Sequence, residues 1–353
     1  MTRTTGYVHD ASLRRVEAYT SRFSTRRELL KALGACTLIA SAPSFAQQQQ
    51  GKPLRIGLLF LLSRQSAMET GRYTAFLDGM RELGYVEGKN LIIERRYADG
   101  YPDRLPRLAS ELVNLNVEVL VTAGTVATGA AQKATLTIPI VMANASDPVG
   151  SGFVKSLAHP GGNITGLSSL TADASPKYLE LLLSVAPRLS RVALMQNPGN
   201  SSHAVTRKRL EAAAQRTRIT IVPVEAQTAQ EIEQAFPIIV KEKAGAIIVA
   251  SDSFFAQQRR QLAQLATKNR LPSISARREY VEAGFLLSYG QSSGHNFHRA
   301  AAYVDKIFKG ARPAELPVEQ PTHFELFVNG TTAKTLGIKI PNELLVRADK
   351  VIE

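Results

Sequence analysis

Apolar stretches of strand length alternate with amphipathic stretches of helical length through this chain, and the alternation runs twice. "PLRIGLLFLL", residues 53–62, is apolar without a polar alternate, as expected of a strand covered on both faces. Phe76, Leu77, Met80 and Leu83 follow at helical spacing and end at Gly84. Then come "NLIIERRYA" as a strand, "RLPRLASELVNL" as a helix, "VEVLVTAG" as a strand, Val126 to Lys133 as a helix and "IPIVMAN" as a strand. This grammar predicts right-handed βαβ units and a parallel sheet.

After a glycine- and proline-rich stretch, "DPVGSGFVKSLAHPGGNITG" (147–166), the pattern restarts. Helices are predicted over Pro176–Ser184, Ala204–Gln215, Thr228–Val240, Phe254–Lys268 and His295–Lys309. Between them lie the strands "RVALMQN", "ITIVPVE", "GAIIVAS", "LPSIS" and "GFLLSYG". Two successive sets imply an α/β protein with two doubly wound, Rossmann-like lobes, and a length of 353 residues suits two domains. Three prolines between Arg312 and Pro321 predict an extended segment passing between them.

The first 46 residues read differently. A basic region containing Arg26-Arg27 precedes a short apolar run, Ala32 to Ala40, and then Ser44-Phe45-Ala46. That order predicts a cleaved export signal, the paired arginines resembling a twin-arginine leader, with cleavage near Ala46 and a periplasmic destination. The apolar run is too short for a membrane span, which takes about 20 residues. The only cysteine, Cys36, falls in this leader, so disulfides, thiol catalysis and cysteine-held metals are excluded from the remainder. A net charge of +13 raises the question of nucleic acid. The basic residues are scattered dipeptides such as Arg95-Arg96, Arg259-Arg260 and Arg277-Arg278, not a stripe, and no nucleic-acid partner is expected.

Open parallel sheets take ligands beyond the carboxyl ends of their strands. The turns there are 63–66, Gly124-Thr125 and 144–147 in the first lobe, and 197–202, 251–253, 275–278 and 289–292 in the second. They are rich in hydroxyls, amides and carboxylates, although any single one can be an ordinary helix cap. No GxGxxG follows the first strand and no GxxxxGK[ST] occurs, so the phosphate cradles of common nucleotide folds are missing and no cofactor is expected. His295 and His298 share a helix face but lack a third ligand, and no metal is expected. Gly290-Gln291-Ser292-Ser293-Gly294 matches GxSxG between a strand and a helix, with Asp305 and His323 downstream and His159-Pro160-Gly161-Gly162 as a faint oxyanion loop. A serine hydrolase using Ser292 is therefore the alternative reading. Against it, the elbow lies near the end of the chain, Asp305 falls inside a helix, and the glycine loop precedes its strand instead of following one.

Several blocks together resemble one family: Gly124-Thr125, "ATLTIPIVMANASDPVGSGFVKSLAHPGGNITG", "RVALMQNPGN", "REYVEAGFLLSYG", "RAAAYVDKIFKGARPAELPVEQPTHFEL" and "KTLGIKIPNELLVRADKVIE". They resemble the ABC-transporter substrate-binding proteins of the tryptophan-type branch. The resemblance implies the type I periplasmic-binding fold, in which two lobes joined by a multi-strand hinge close over a small ligand. It implies lobe 1 from 54–166 plus 292–323, and lobe 2 from 167–291 plus 324–353. The implied protein is a non-enzymatic monomer that binds an amino acid or related metabolite and partners an inner-membrane ABC permease. An amino-acid-like ligand needs an anion site and a cation site. Helix starts after Gly124-Thr125 and within Asn197 to Ser202, including Ser201, can face a carboxylate. Asp147 and Asp252 are candidates for an ammonium, and Tyr280 or Tyr289 for an apolar face with a polar tip. Proline after Asp147 is expected to hold that carboxylate in extended backbone. Ser63 completes the candidates, although its turn departs from the proline-bearing form of relatives.

Overall fold

The computed structural model describes residues 52–353, and the expected leader with its arginine pair and Cys36 lies outside the described residues. The first sheet contains β1 (Leu54–Phe60), β2 (Leu91–Tyr97), β3 (Val119–Ala123), β4 (Ile140–Ala145) and β5 (Ile164–Ser168). All neighbours are parallel, in the order β2-β1-β3-β4-β5. Side chains from Leu58 to Leu62 are essentially sealed from solvent, because helices cover both faces of this strand.

The second sheet contains β6 (Arg191–Gln196), β7 (Thr220–Glu225), β8 (Ile247–Val249), β9 (Ser273–Ser275), β10 (Leu287–Gly290), β11 (Glu325–Asn329) and β12 (Lys350–Ile352). Its order is β12-β11-β10-β9-β8-β6-β7. This sheet is mixed, unlike the expected parallel one: β11 runs antiparallel to β10, with Gly290 opposite Glu325. The reason is the path of the chain. It leaves the second sheet after Gly290, builds the helix Ser293–Phe308 against the first sheet, and returns at Glu325 beside the point where it left.

That returning helix is held by close packing. Phe297 stacks on Phe60 at 5.8 Å between centroids. Gly79, in the helix Arg72–Glu82, lies so near His298 that a Cβ would come within 2.6 Å of its carbonyl oxygen. Two other helices depart from expectation. The stretch predicted as one helix over Phe254–Lys268 is two, Ser253–Gln257 and Arg259–Lys268, broken at Gln258. The helix expected to begin at Pro176 runs from Thr171 to Val185. Pro176 has no N–H for the carbonyl of Ala172, but the Ser175 hydroxyl donates to that oxygen at 2.8 Å and restores the acceptor's partner.

Both sheets change winding direction between their first and third strands, so each has a crevice at β1/β3 or β6/β8 where strand ends and helix starts converge. Three segments join the lobes. One follows β5, one follows Gly290, and one spans Glu319 to Glu325. The first and third are tied together, with Ser168 N–H donating to Glu319 O and Glu319 N–H to Gly166 O, each at 2.9 Å.

Candidate ligand-binding cleft

The turns at the two crevices meet face to face. Ser63 caps the helix Arg64–Glu69, and its N–H donates to Gln257 Oε1 of the second lobe at 3.1 Å. Gly124 opposes Ser253 so closely that a Cβ would approach its hydroxyl to 2.7 Å, and Ser253 Oγ donates to Ala123 O at 3.3 Å. Its backbone has φ 91°, a conformation that favours glycine. Ser201 donates to Ser151 Oγ at 2.9 Å. Three ion pairs also bridge the lobes, Arg72 to Glu279 at 2.6 Å and Arg259 and Arg260 to Glu69 at 2.6 and 3.4 Å. The lobes therefore touch across the cleft.

Thr125 is buried at the head of the helix Thr125–Ala134, where its hydroxyl accepts from Ser146 N–H at 3.1 Å. Gly124 supplies no side-chain cap, so the first amides of this helix keep their positive partial charge toward the crevice. Behind them, Ser146 shares hydrogen bonds with Ser169 and Thr171 at 2.9 and 2.7 Å. In the second lobe Asp252 is buried and committed: Oδ1 accepts from Phe254 N–H at 2.7 Å and Oδ2 from Asn200 at 2.7 Å. Asn197 is likewise occupied locally, its Oδ1 accepting from Gly199 N–H at 2.9 Å and its N–H donating to His203 Nδ1 at 2.8 Å.

Asp147 departs from expectation. Instead of the extended form favoured before proline, it has φ 43°, and its Oδ1 accepts from Gly150 N–H at 3.0 Å. The carboxylate caps its own turn, which outweighs the pre-proline preference, and a Cβ at Gly150 would meet Oδ2 at 2.0 Å. Tyr280 is buried, packed edge-on against Phe285 at 5.0 Å. Tyr289 stacks on Phe324 at 5.5 Å, beside the third joining segment.

A residue of the turn 275–278 that is not among the named candidates occupies the centre. Arg277, two positions beyond β9, donates through Nη2 to Asn144 Oδ1 of the first lobe at 3.2 Å. Its Nη1 is buried without a hydrogen-bond partner among the described residues, as are the hydroxyls of Tyr178 and Tyr280. Burial raises both phenols, while the Arg277 charge pulls each in the opposite direction. Gly124, Thr125, Asn144, Ser146, Asn200, Asp252, Ser253 and Arg277 enclose a space of about 10 Å3, the room of about one water.

Glu279 and Arg72 form a nearly dry pair next to this centre. Burial opposes ionisation of Glu279, but Arg72 and Arg277 overcome it and hold the carboxyl below its usual range. Burial and the like charge of Arg277 bring Arg72 down to about 10, against the pull of Glu279, so it stays charged at neutral pH.

The GxSxG serine sits elsewhere. Ser292 Oγ accepts from His295 N–H at 3.5 Å as a helix cap. Asp305 holds Lys309 at 2.8 Å and accepts from Tyr85 at 2.9 Å, so it does not orient His323. His298 pairs with Glu82 at 3.0 Å.

With this geometry in view, the sequence matches the family described as ABC transporter substrate binding protein over residues 55–352. A curated relative from Clostridioides difficile (strain R20291), named tyrosine-binding protein, is 26% identical over 289 residues, 82% of each chain. A solved structure of a conserved domain protein from Vibrio cholerae superposes with a TM-score of 0.80 at 31% identity, covering 85% of this chain and 100% of that one. An ABC domain from Streptococcus pneumonia in complex with L-Trp superposes with a TM-score of 0.78 at 24% identity, again over 85% and 100%.

Proposed function

The chain belongs to the ABC transporter substrate-binding protein family, and from that premise we propose that it is an extracytoplasmic receptor delivering an amino acid to an inner-membrane ABC permease. The observation that carries this reading is Arg277 Nη1, buried between the lobes and without a hydrogen-bond partner among the described residues. A buried polar atom without a partner costs about 1–3 kcal/mol, so a ligand that supplies the missing acceptor recovers that cost. A carboxylate fits Arg277 and the amide start of the Thr125 helix, and Asp252 Oδ2 keeps a lone pair for an ammonium. Ser63, Gly124, Asn197 and Ser201 serve as walls and closing contacts around that ligand, with Asp147 and Tyr289 further out.

Relatives named for tyrosine and crystallised with L-Trp support an aromatic amino acid. Such a ligand exceeds the space of about 10 Å3, so its complex holds the lobes farther apart than they stand here. Closure works as a sensor because the ligand touches both lobes and favours one arrangement over the other. Export follows from the leader, with cleavage near Ala46 releasing a periplasmic monomer. Thermal shift across the amino acids tests the reading. An aromatic amino acid should raise the Tm of the wild type and, at the same concentration, raise that of Arg277→Leu less; no shift with any amino acid sinks the proposal.

A further inference from the structure

A cavity of about 330 Å3 lies between the lobes, beside the space around Arg277. Thr125 and Val126 line both, so the two spaces adjoin at the first turn of the helix Thr125–Ala134. The first lobe adds Leu105, Gly129 and Phe153, and the second closes the rim with Gly199 and Ser201. Phe153 is a fixed wall. It is buried, its N–H donates to Pro148 O at 2.9 Å, and the neighbouring Gly152 O accepts from Gln132 of the same helix at 2.9 Å.

Gly129 is the residue that the fold does not account for. Glycine inside a helix is less favourable than alanine, because it gives up more backbone entropy. Neither usual reason for keeping one applies here. Its backbone lacks the positive φ that calls for glycine, and a Cβ would meet only the Phe153 ring, at 3.8 Å, an ordinary contact. The helix packs on its own core through Ala127 and Ala131, two residues either side and so on the opposite face. What a larger side chain at 129 would take is room in the cavity, in front of the Phe153 ring.

We propose that this cavity receives the side-chain ring of the amino acid, and that Gly129 sets the size of ligand admitted. The proposal rests on the reading of the cleft as an amino-acid site. With the carboxylate at Arg277 and the head of the Thr125 helix, a side chain directed along that helix passes Val126 and enters the cavity. The space around Arg277, about 10 Å3, has no room for it. An aromatic ring suits the cavity, whose volume falls within the range of small-molecule sites and whose inner walls are apolar. Such a ring packs on Phe153 by offset stacking or edge to face, with centroids about 4.5–7 Å apart. Gly199 and Ser201 bring the second lobe into the contact, so a ring held here favours closure.

Calorimetry on the full chain with L-tryptophan, L-tyrosine and L-alanine tests this. The wild type should bind the better of the two ring-bearing ligands at least tenfold more tightly than alanine. Gly129→Leu, which fills the cavity, should cut that preference at least tenfold, with the loss falling on the ring-bearing ligand, and Gly129→Ala should cut it less. Without ligand, both variants should unfold at or above the wild-type midpoint, since either residue is a better helix former. The proposal is overturned, with the amino-acid reading left standing, by a wild type that binds alanine as tightly, by an unchanged preference in Gly129→Leu, by an equal loss for alanine, or by a lowered midpoint. A wild type that binds no amino acid overturns both.

Discussion

The two sides of the cleft are built from different chemistry. The first lobe presents mostly neutral groups, the amides behind Gly124 and the hydroxyls and amide of Ser63, Thr125, Asn144 and Ser146. The second presents charge: Asp252, Arg277 and Glu279. The buried exception on the first lobe is Arg72, which reaches across to Glu279, while the more exposed Glu69 pairs with Arg259. A charged ligand thus has its main anchors on one side, and the other side completes the enclosure with dipoles that need little desolvation. The division teaches that capture and closure can be separated by mutation.

The largest effect should come from the exception. Arg72→Met leaves Glu279 buried without its partner, and breaking such a pair costs about 3–5 kcal/mol. Opening the lobes rehydrates Glu279, so the loss should fall on closure more than on folding. Small-angle scattering should show a larger radius of gyration with little change in unfolding midpoint; a protein that stays compact would show that the pair does not latch the lobes.

The asymmetry itself is tested by a matched pair. Arg277→Leu should cost ligand binding about 1.5–3 kcal/mol, the range for hydrogen bonds to charged groups, whereas Ser146→Ala should cost about 0.5–1.5 kcal/mol. Calorimetry with the cognate amino acid reads both, and equal losses would erase the distinction between the lobes.

How much of this was legible beforehand differs between backbone and site. The strand-helix alternation depends on local apolar spacing, and β1 to β4 and β6 to β10 follow it. β11 and β12 escaped because "ELFVN" and "KVI" are short and their pairing partner is set by the return of the chain across the joining segments. Arg277 escaped because it stands beside Arg278 and reads as one more surface basic pair. The turn 275–278 marked its region, but nothing local distinguishes Arg277, which is buried, from Arg278, which is exposed. Tyr178 had no such signal, as its hydroxyl is buried by residues distant in sequence. Asp147 was legible as a turn residue but not as its own cap, a choice made by Gly150.

Acid should act mainly on the charged lobe. Burial holds the His203 imidazole below its ordinary 6.5, so its contribution is present above that value and is lost as pH falls through the folded one. Glu279, held below 4.5, contributes in full above that value and loses its contribution at still lower pH. Urea unfolding should therefore weaken first below pH 6.5 and again below 4.5, each group adding a slope of at most about 1.4 kcal/mol per pH unit. His203→Asn should flatten the first limb only. The smallest effect belongs to exposed pairs: Arg207→Ala, which breaks an i, i+4 pair with Glu211, should shift stability by about 0.3–0.5 kcal/mol.

Two of the joining segments depart from glycines pressed against a neighbouring strand. A Cβ would come within 2.2 Å of Met142 O at Gly166 and within 1.9 Å of Ala276 O at Gly290. Two such fixed points define a line, and a body turning about a line has a single angle to set. Under the proposed closure, amino acid and ion-pair latch would both pull on that one angle. Each would then influence the other without touching.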